Sequence, residues 1–195
     1  MYIPAHFSAP DQSAAQQLMD EHPFATVITR RGDQQMISHL PLLRDGDVLL
    51  GHLARANPHA ELLDGGHSTA IFHGPHAYVS PHWYAAGAQP VPTWNYAAVH
   101  VSGATVSLDA QRSDAILEAL TRKMESVALP AMSAADRAAK LRAIVGFEIR
   151  IEQLAAKFKM SQNRRPQDRR GVIAGLLAQQ DSGARGVAQW MTAHE

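Results

Sequence analysis

Five short stretches of the chain carry residue types whose spacing can do chemistry. The first is Gly51-His52-Leu53-Ala54-Arg55-Ala56-Asn57-Pro58. Asn is a strong N-cap and Pro is favoured at the first helical position, so a helix start is predicted after Asn57. Such a start leaves amide protons unpaired and carries partial positive charge. With Arg55 and His52 just upstream, it makes a site for a phosphate, or else an ordinary capped helix beside an exposed arginine. The second stretch is Ser38-His39-Leu40-Pro41, late in an expected strand. If Leu40 faces the core, His39 faces the other way. Pro41 removes a ladder hydrogen bond, which puts the strand near an edge. Its free backbone groups can read a planar heterocycle; the plainer alternative is a surface histidine.

The third stretch is His73-Gly74-Pro75-His76, with His82 beyond. Clustered histidines raise the question of a metal. With no carboxylate or thiolate nearby, and no His-Glu-x-x-His pattern, no metal site is expected. The fourth, Pro92-Thr93-Trp94-Asn95-Tyr96, offers flat faces with polar tips and an amide that donates and accepts. It can clamp a ring system or fill a dimer interface. The fifth runs from Lys157 to Arg170, with six basic residues and one acidic residue, Asp168. It suits a phosphate of a cofactor or of DNA, or is a solvated basic face. No P-loop, Gly-x-Gly-x-x-Gly, Ser-His-Asp, zinc-finger or RNA-recognition signature is present.

The elements that must position these residues are legible in outline. Ser8 with Asp11 three residues on predicts a capped helix to about Met19-Asp20. Phe24 to Arg30, Met36 to Leu43 and Val48 to Leu53 read as a meander of three strands, punctuated at Gly32 and Asp45-Gly46-Asp47. A short helix is expected from Asn57-Pro58 to about Leu63, stopped by Gly65-Gly66. Thr69–His73 and His76–Ser80 read as two strands around a Gly-Pro turn. Pro81 to Pro92 reads as a loop, and Trp94 to Leu108 as one strand or a hairpin bent at Ser102-Gly103. Helices are expected over Arg112–Ser126 and after the Ser133–Asp136 capping box. Phe147, Ile149 and Ile151 alternate with charged residues, as in a half-buried strand. The tail reads as helices over Gln167–Gln179 and Ala184–Ala193. Strands without regular strand–helix alternation predict an α+β, mainly antiparallel barrel with peripheral helices.

The chain has 195 residues, 46% hydrophobic and 18% charged, with 18 basic and 18 acidic residues and no cysteine. This excludes a disordered or collagenous chain, disulfides, thiolate metal sites and cysteine nucleophiles. Absence of cysteine fits a reducing cytoplasm. No signal-peptide pattern opens the chain, and no run is apolar for the roughly 20 residues of a membrane span. The charge distribution is uneven. No Asp, Glu, Lys or Arg occurs in the 44 residues from Gly65 to Leu108, which hold six aromatic residues and five histidines. A charge-free, aromatic-rich window suits a surface buried against a second subunit or a ligand.

In this order the segments resemble the PaiB-type FMN-binding negative transcriptional regulators. The matching stretches are Met1-Tyr2-Ile3-Pro4 with Phe7, Ser38–Leu42, Gly51–Pro58, Phe72–Pro81, Trp83-Tyr84, Val91–His100, Ile144-Val145-Gly146 and Lys157–Arg164. Phe158 stands where Trp is common in that family, and Arg165 is an extra residue before Pro166. The resemblance implies an FMN-binding split β-barrel, similar to pyridoxine 5′-phosphate oxidase, and a cytoplasmic homodimer with FMN at the subunit interface. Carried over by motif, Ser38 and His39 lie along the isoalloxazine. His52, Arg55 and Asn57 hold ribityl and phosphate groups. Trp94, Asn95, Lys159, Ser161 and Gln162 approach the cofactor, some from the partner subunit. Residues 1–165 are expected to form the flavin-binding domain and 166–195 a helical extension packed on it. Three functions follow from these residues: a flavin-binding regulator, a flavin-dependent oxidoreductase acting on a small molecule, or a flavin-independent repressor that contacts DNA through Lys157–Arg170.

Overall fold

The β-branched run Phe24–Arg31 forms β1, and Gly32, at φ 58°, turns the chain back into β2 (Gln34–Pro41). Val27 and Ala25 on one face of β1 are buried, while Thr26 and Ile28 on the other are half-exposed. A computed structural model describes residues 1–87, 91–130 and 132–194. They fall into two units. One holds 1–18, 73–99 and 155–194; the other holds 19–72 and 100–154.

In the second of these units β3 (Leu43–Asp45) and β4 (Val48–Ala54) follow β2, joined by a turn at Gly46. Strand β5 spans Gly66–Val79 and β6 spans Thr93–Ser107, so each contributes to both units. β7 is Ile144–Arg150 and β8 is Gln153–Lys159. Hydrogen bonding runs in the order β2-β1-β5-β6-β7-β4-β3, and β8 pairs with β6. β1 is antiparallel to β2 and β5, β4 to β3 and β7, and β6 to β7. Phe147 and Ile149 on β7 are fully buried and alternate with Glu148 and Arg150, as the period of two predicts. Each such side chain contributes about 1.5–3 kcal/mol of hydrophobic stabilisation. Helix α2 (Ala110–Met124) places Ile116 and Leu120 on Leu50, with Leu43, Val48 and Leu108 around them. Helix α3 (Ala134–Arg142) starts at the expected capping box: Ser133 Oγ accepts from Asp136 N and donates to its carboxylate.

Helix α1 is Gln12–Glu21. Asp11, not Ser8, caps it, accepting from Ala14 N at 2.8 Å. Ser8 is instead bridged to Lys157. In the first unit α4 (Pro166–Leu177) and α5 (Ser182–Ala193) bury Val172, Leu176, Val187 and Met191.

Two glycines were expected to mark turns and do not. Gly74-Pro75 lies inside the continuous β5, because a Cβ at Gly74 would sit 2.8 Å from Leu18 Cδ1 and 3.1 Å from Ala97 Cβ. Glycine is there for close packing. Gly103 lies inside the continuous β6, where a Cβ would fall 1.7 Å from the Arg150 carbonyl oxygen. Glycine in a strand often marks such a backbone approach. Pro81–Trp83 forms a 3₁₀ turn within the expected loop; the part of that loop from 88 to 90 lies outside the described residues. Among the described residues no helix is long and apolar enough to cross a membrane.

Candidate functional site

The predicted site residues divide between the two units. Ser38, His39, His52, Arg55 and Asn57 belong to one, and Trp94, Asn95, Lys159, Ser161 and Gln162 to the other.

In the first group, β2 ends the strand order, so Pro41 does sit on an edge strand. Leu40 is buried and His39 faces the other way, exposed, with Nδ1 3.1 Å from Oγ1 of Thr26, its register partner on β1. His52 lies on β4 opposite Gly146 of β7. Its Nδ1 is buried with no partner, and burial pushes its pKa down, which favours the neutral imidazole. Arg55 is exposed but fixed. Its Nε donates to the Arg142 carbonyl at 2.8 Å and its Nη2 to the Ile144 carbonyl at 2.6 Å. Its backbone N–H donates to the Ala143 carbonyl. A guanidinium has five N–H donors, so three remain in a held, planar fork.

Asn57 behaves as the expected cap: its Oδ1 accepts from His59 N at 3.0 Å. What it caps is a five-residue 3₁₀ turn, Pro58–Leu62, rather than an α-helix. So short an element does not sum peptide dipoles as a longer helix does, so the positive charge expected of a helix start is weak here. The Nδ2 of Asn57 donates to Ser38 Oγ at 3.2 Å. Ser38 also meets a residue the motifs did not flag. His59 is buried, with Nδ1 2.8 Å from Ser38 Oγ and Nε2 2.7 Å from Thr29 Oγ1. Burial pushes its pKa down as well. Thr29 and Ser68 are register partners on β1 and β5, 2.6 Å apart through their hydroxyls, and Thr105 of β6 donates to Ser68 at 2.6 Å. Three small polar residues within otherwise apolar strands were the available signal. Their meeting is tertiary, which local spacing does not reveal.

In the second group, Trp94 is 55% exposed, 6.1 Å from the Tyr78 ring in an edge arrangement and 6.5 Å from His76. Lys159 donates to Thr93 Oγ1 at 2.6 Å and to the Trp94 carbonyl. Burial, with Lys157 and Arg164 nearby, pushes its pKa down. Asn95 is fully buried, its Nδ2 3.0 Å from Ser161 Oγ and 3.5 Å from Met191 Sδ. Ser161 is a left-handed residue, φ 60°. Gln162 closes its own turn, accepting from Met160 N at 2.7 Å and donating to the Phe158 carbonyl. Asn95, Ser161 and Gln162 thus spend these polar atoms inside their unit, and the Trp94 ring is the exposed member of the group.

Most cations of the basic run have partners within their unit, while Arg170 is exposed. Lys157 is buried, donates to the Tyr2 carbonyl at 3.1 Å and lies over the rings of Tyr2, Phe7 and Tyr96. Arg164 covers the Tyr84 ring at 4.8 Å. Arg165 pairs with the buried Asp168, which also accepts from Ala85 N at 2.9 Å. Arg165 is the largest influence holding that carboxyl below the usual range. Arg169 donates to the carbonyls of Met191 and His194. Among the described residues no group of three or more His, Asp or Glu is placed to hold a metal ion.

The donor set fits a phosphorylated planar ligand. It has a fixed arginine with free N–H groups, a buried imidazole nitrogen without a partner, and a half-buried serine on an edge strand. Comparison with solved structures places the fold. The flavocytochrome Anf3 of Azotobacter vinelandii matches with a TM-score of 0.64 at 15% identity, over 80% of this chain and 72% of that one. An FAD- and heme-binding protein of Mycobacterium smegmatis matches with a TM-score of 0.63 at 18% identity, over 78% and 73%. The chain has the antiparallel split-barrel fold of flavin-binding proteins, with peripheral helices. A family model described as "Putative FMN-binding domain" matches residues 1–153. The chain is also 33% identical to the protease synthase and sporulation protein PAI 2 of Bacillus subtilis (strain 168), over 98% of this chain and 96% of that protein. It belongs to the PaiB-type family of FMN-binding proteins.

Proposed function

We propose that the chain is a cytoplasmic homodimer that binds FMN at the subunit interface and acts as a negative transcriptional regulator. The observation that carries the flavin half is the Arg55 clamp. Two carbonyls hold the guanidinium, and three N–H donors stay available for a phosphate. Unpaired His52 Nδ1, with Ser38, His39 and Asn57, supplies polar contacts to the rest of the ligand. Trp94, Asn95, Lys159, Ser161 and Gln162 form the second part of the site, given in part by the partner subunit. In this arrangement the exposed Trp94 ring meets the flavin, Lys159 places positive charge beside it, and Asn95, Ser161 and Gln162 hold the backbone that presents them. Bound FMN supplies a ring able to accept and return electrons.

Exposed apolar surface supports the dimer. Phe24 is 65% and Ile37 55% exposed on adjacent strands, and Tyr78 and Trp94 are exposed together on β5 and β6. Apolar groups exposed side by side suit a surface that a second subunit covers.

The regulatory half rests on the family resemblance. The committed cations of Lys157–Arg170 make that run a poor electrostatic footprint for DNA, so any DNA contact needs more than this run. An electrophoretic mobility shift on the protein's own promoter region, with and without FMN across a salt series, tests it. Retardation that responds to FMN is expected. No binding at low salt removes direct repression, and turnover of reduced nicotinamide by the FMN-loaded protein favours an oxidoreductase.

A further inference from the structure

The hydroxyl network around His59 has a direction that can be worked out by counting protons. Five hydrogen bonds link six groups: Asn57 to Ser38, Ser38 to His59, His59 to Thr29, Thr29 to Ser68 and Ser68 to Thr105. Two of the five are fixed at the ends. At one end the Asn57 amide orientation is settled by its other contact. The backbone N–H of His59 is an obligate donor, so the atom facing it is Oδ1 and the atom facing Ser38 is the donor Nδ2. At the other end the geometry makes Thr105 the donor to Ser68.

Between the ends three arrangements are possible for a neutral imidazole. In one, Ser68 donates to Thr29, Thr29 donates to His59 Nε2, and His59 Nδ1–H donates to Ser38. Each bond then has one proton, and the hydroxyl proton left over is that of Ser38. In the other two, Ser38 donates to Nδ1 and Nε2–H donates to Thr29. If Thr29 then donates to Ser68, the proton left over is that of Ser68, which already takes Thr105 as donor; if Ser68 donates to Thr29, it is that of Thr29. Both are fully buried. A buried donor without an acceptor is costly, whereas Ser38 is only half-buried and has somewhere to donate. An imidazolium would strand the same Ser68 or Thr29 proton, and its ring nitrogens face hydroxyls rather than a carboxylate.

We propose that His59 is a positioning residue: as the Nδ1–H tautomer it joins Asn57 in filling both acceptor sites of Ser38, leaving the Ser38 hydroxyl as an outward donor to an acceptor atom of the flavin ring. This rests on the reading of Ser38 as a flavin contact. It adds a chemical rule, that the ring atom opposite Ser38 is a carbonyl oxygen or an unprotonated nitrogen, never a ring N–H. Thr29, Ser68 and Thr105 matter through the same chain, although none approaches the surface.

Two measurements on the full chain decide it. The first is a long-range proton–nitrogen NMR correlation of uniformly labelled protein, with the His59 ring signals tied to its own backbone by sequential assignment of the unaltered chain. The proton is expected on Nδ1; a proton on Nε2 overturns the proposal. The second is FMN affinity by fluorescence quenching. Asn can place an amide N–H near the position of Nδ1, and Gln reaches instead toward Nε2. His59→Gln should therefore weaken FMN binding by about tenfold, the scale of one hydrogen bond, and His59→Asn should restore most of it. In a Ser38→Ala background, His59→Gln should cause little further loss. Equal losses in both histidine variants, or a full loss added on top of Ser38→Ala, mark His59 as merely structural. If the histidine variants do not fold, the tautomer in the unaltered protein decides alone. Failure of the unaltered protein to bind FMN contradicts the function proposed above, whereas an FMN-binding protein with the Nε2–H tautomer contradicts only the role of His59.

Discussion

Replacing Arg55 by alanine should separate FMN from riboflavin. The side chain is exposed, and the two carbonyls it serves lie at the junction of α3 and β7. Water can take over those acceptors at a surface site, so the fold should lose no more than about 1 kcal/mol. The remaining N–H donors are aimed by that clamp. A charge-assisted contact from them to a phosphate is worth about 1.5–3 kcal/mol. At about 1.4 kcal/mol per tenfold, FMN affinity should fall roughly 10- to 150-fold. Riboflavin has the same ring and ribityl chain without the phosphate, so its affinity should change less than about threefold, within a typical surface-substitution effect. The assay is fluorescence quenching of each flavin at fixed pH and ionic strength, with the melting temperature recorded alongside. Unchanged FMN affinity removes Arg55 from the phosphate site. An equal loss for both flavins shows that the arginine acts on the fold or the ring instead.

Three further outcomes are expected. Burial holds His52 and His59 below the ordinary histidine pKa of about 6.5, so unfolding takes up protons as pH drops below that value. Their neutral forms support full stability above about pH 6.5, and it should decline as pH falls from there through their native pKa values; thermal melts from pH 8 to 5 that stay flat contradict this. Gly103→Ala would put a Cβ 1.7 Å from the Arg150 carbonyl oxygen, which no side-chain movement relieves, so little folded protein should be recovered; near-normal yield and melting temperature would refute the close approach. Asn95→Leu strands Ser161 and should cost about 1–3 kcal/mol in denaturant unfolding, and an unchanged midpoint would show that the buried amide is not what holds that turn.

The antiparallel strands, the α+β class and the tail helices were legible because their signals are local: alternation at Phe147 and Ile149, a capping box at Ser133–Asp136, positive-φ glycines at Gly32 and Gly46. Gly74 and Gly103 misled because a glycine in a turn and a glycine under a neighbouring backbone look alike in sequence. Ser8 misled because two candidate caps stood three residues apart, and Lys157 claimed Ser8 through a bridge. At the candidate site, Ser38, Arg55 and Asn57 were singled out through their motif, and the partners of Arg55 were not legible. They are carbonyls of Arg142 and Ile144, almost ninety residues away, and no residue type announces a carbonyl. His59 escaped for a related reason: its partners Ser38 and Thr29 come from two strands, β2 and β1, well before it in the chain. The basic run read as a surface by charge count alone. Cations that lie over aromatic rings or pair with a buried Asp168 are visible only once Tyr2, Tyr84 and Tyr96 have been placed.

The central claim is that this chain binds FMN through the residues of the Arg55 and Ser38 group. Titration of the purified protein with FMN by isothermal calorimetry, read with the visible flavin spectrum and the mass by light scattering, tests it most directly. Saturable binding of one FMN per chain, in a particle of two chains, is the expected result. No binding, or binding that Arg55→Ala and Ser38→Ala leave untouched, would contradict it.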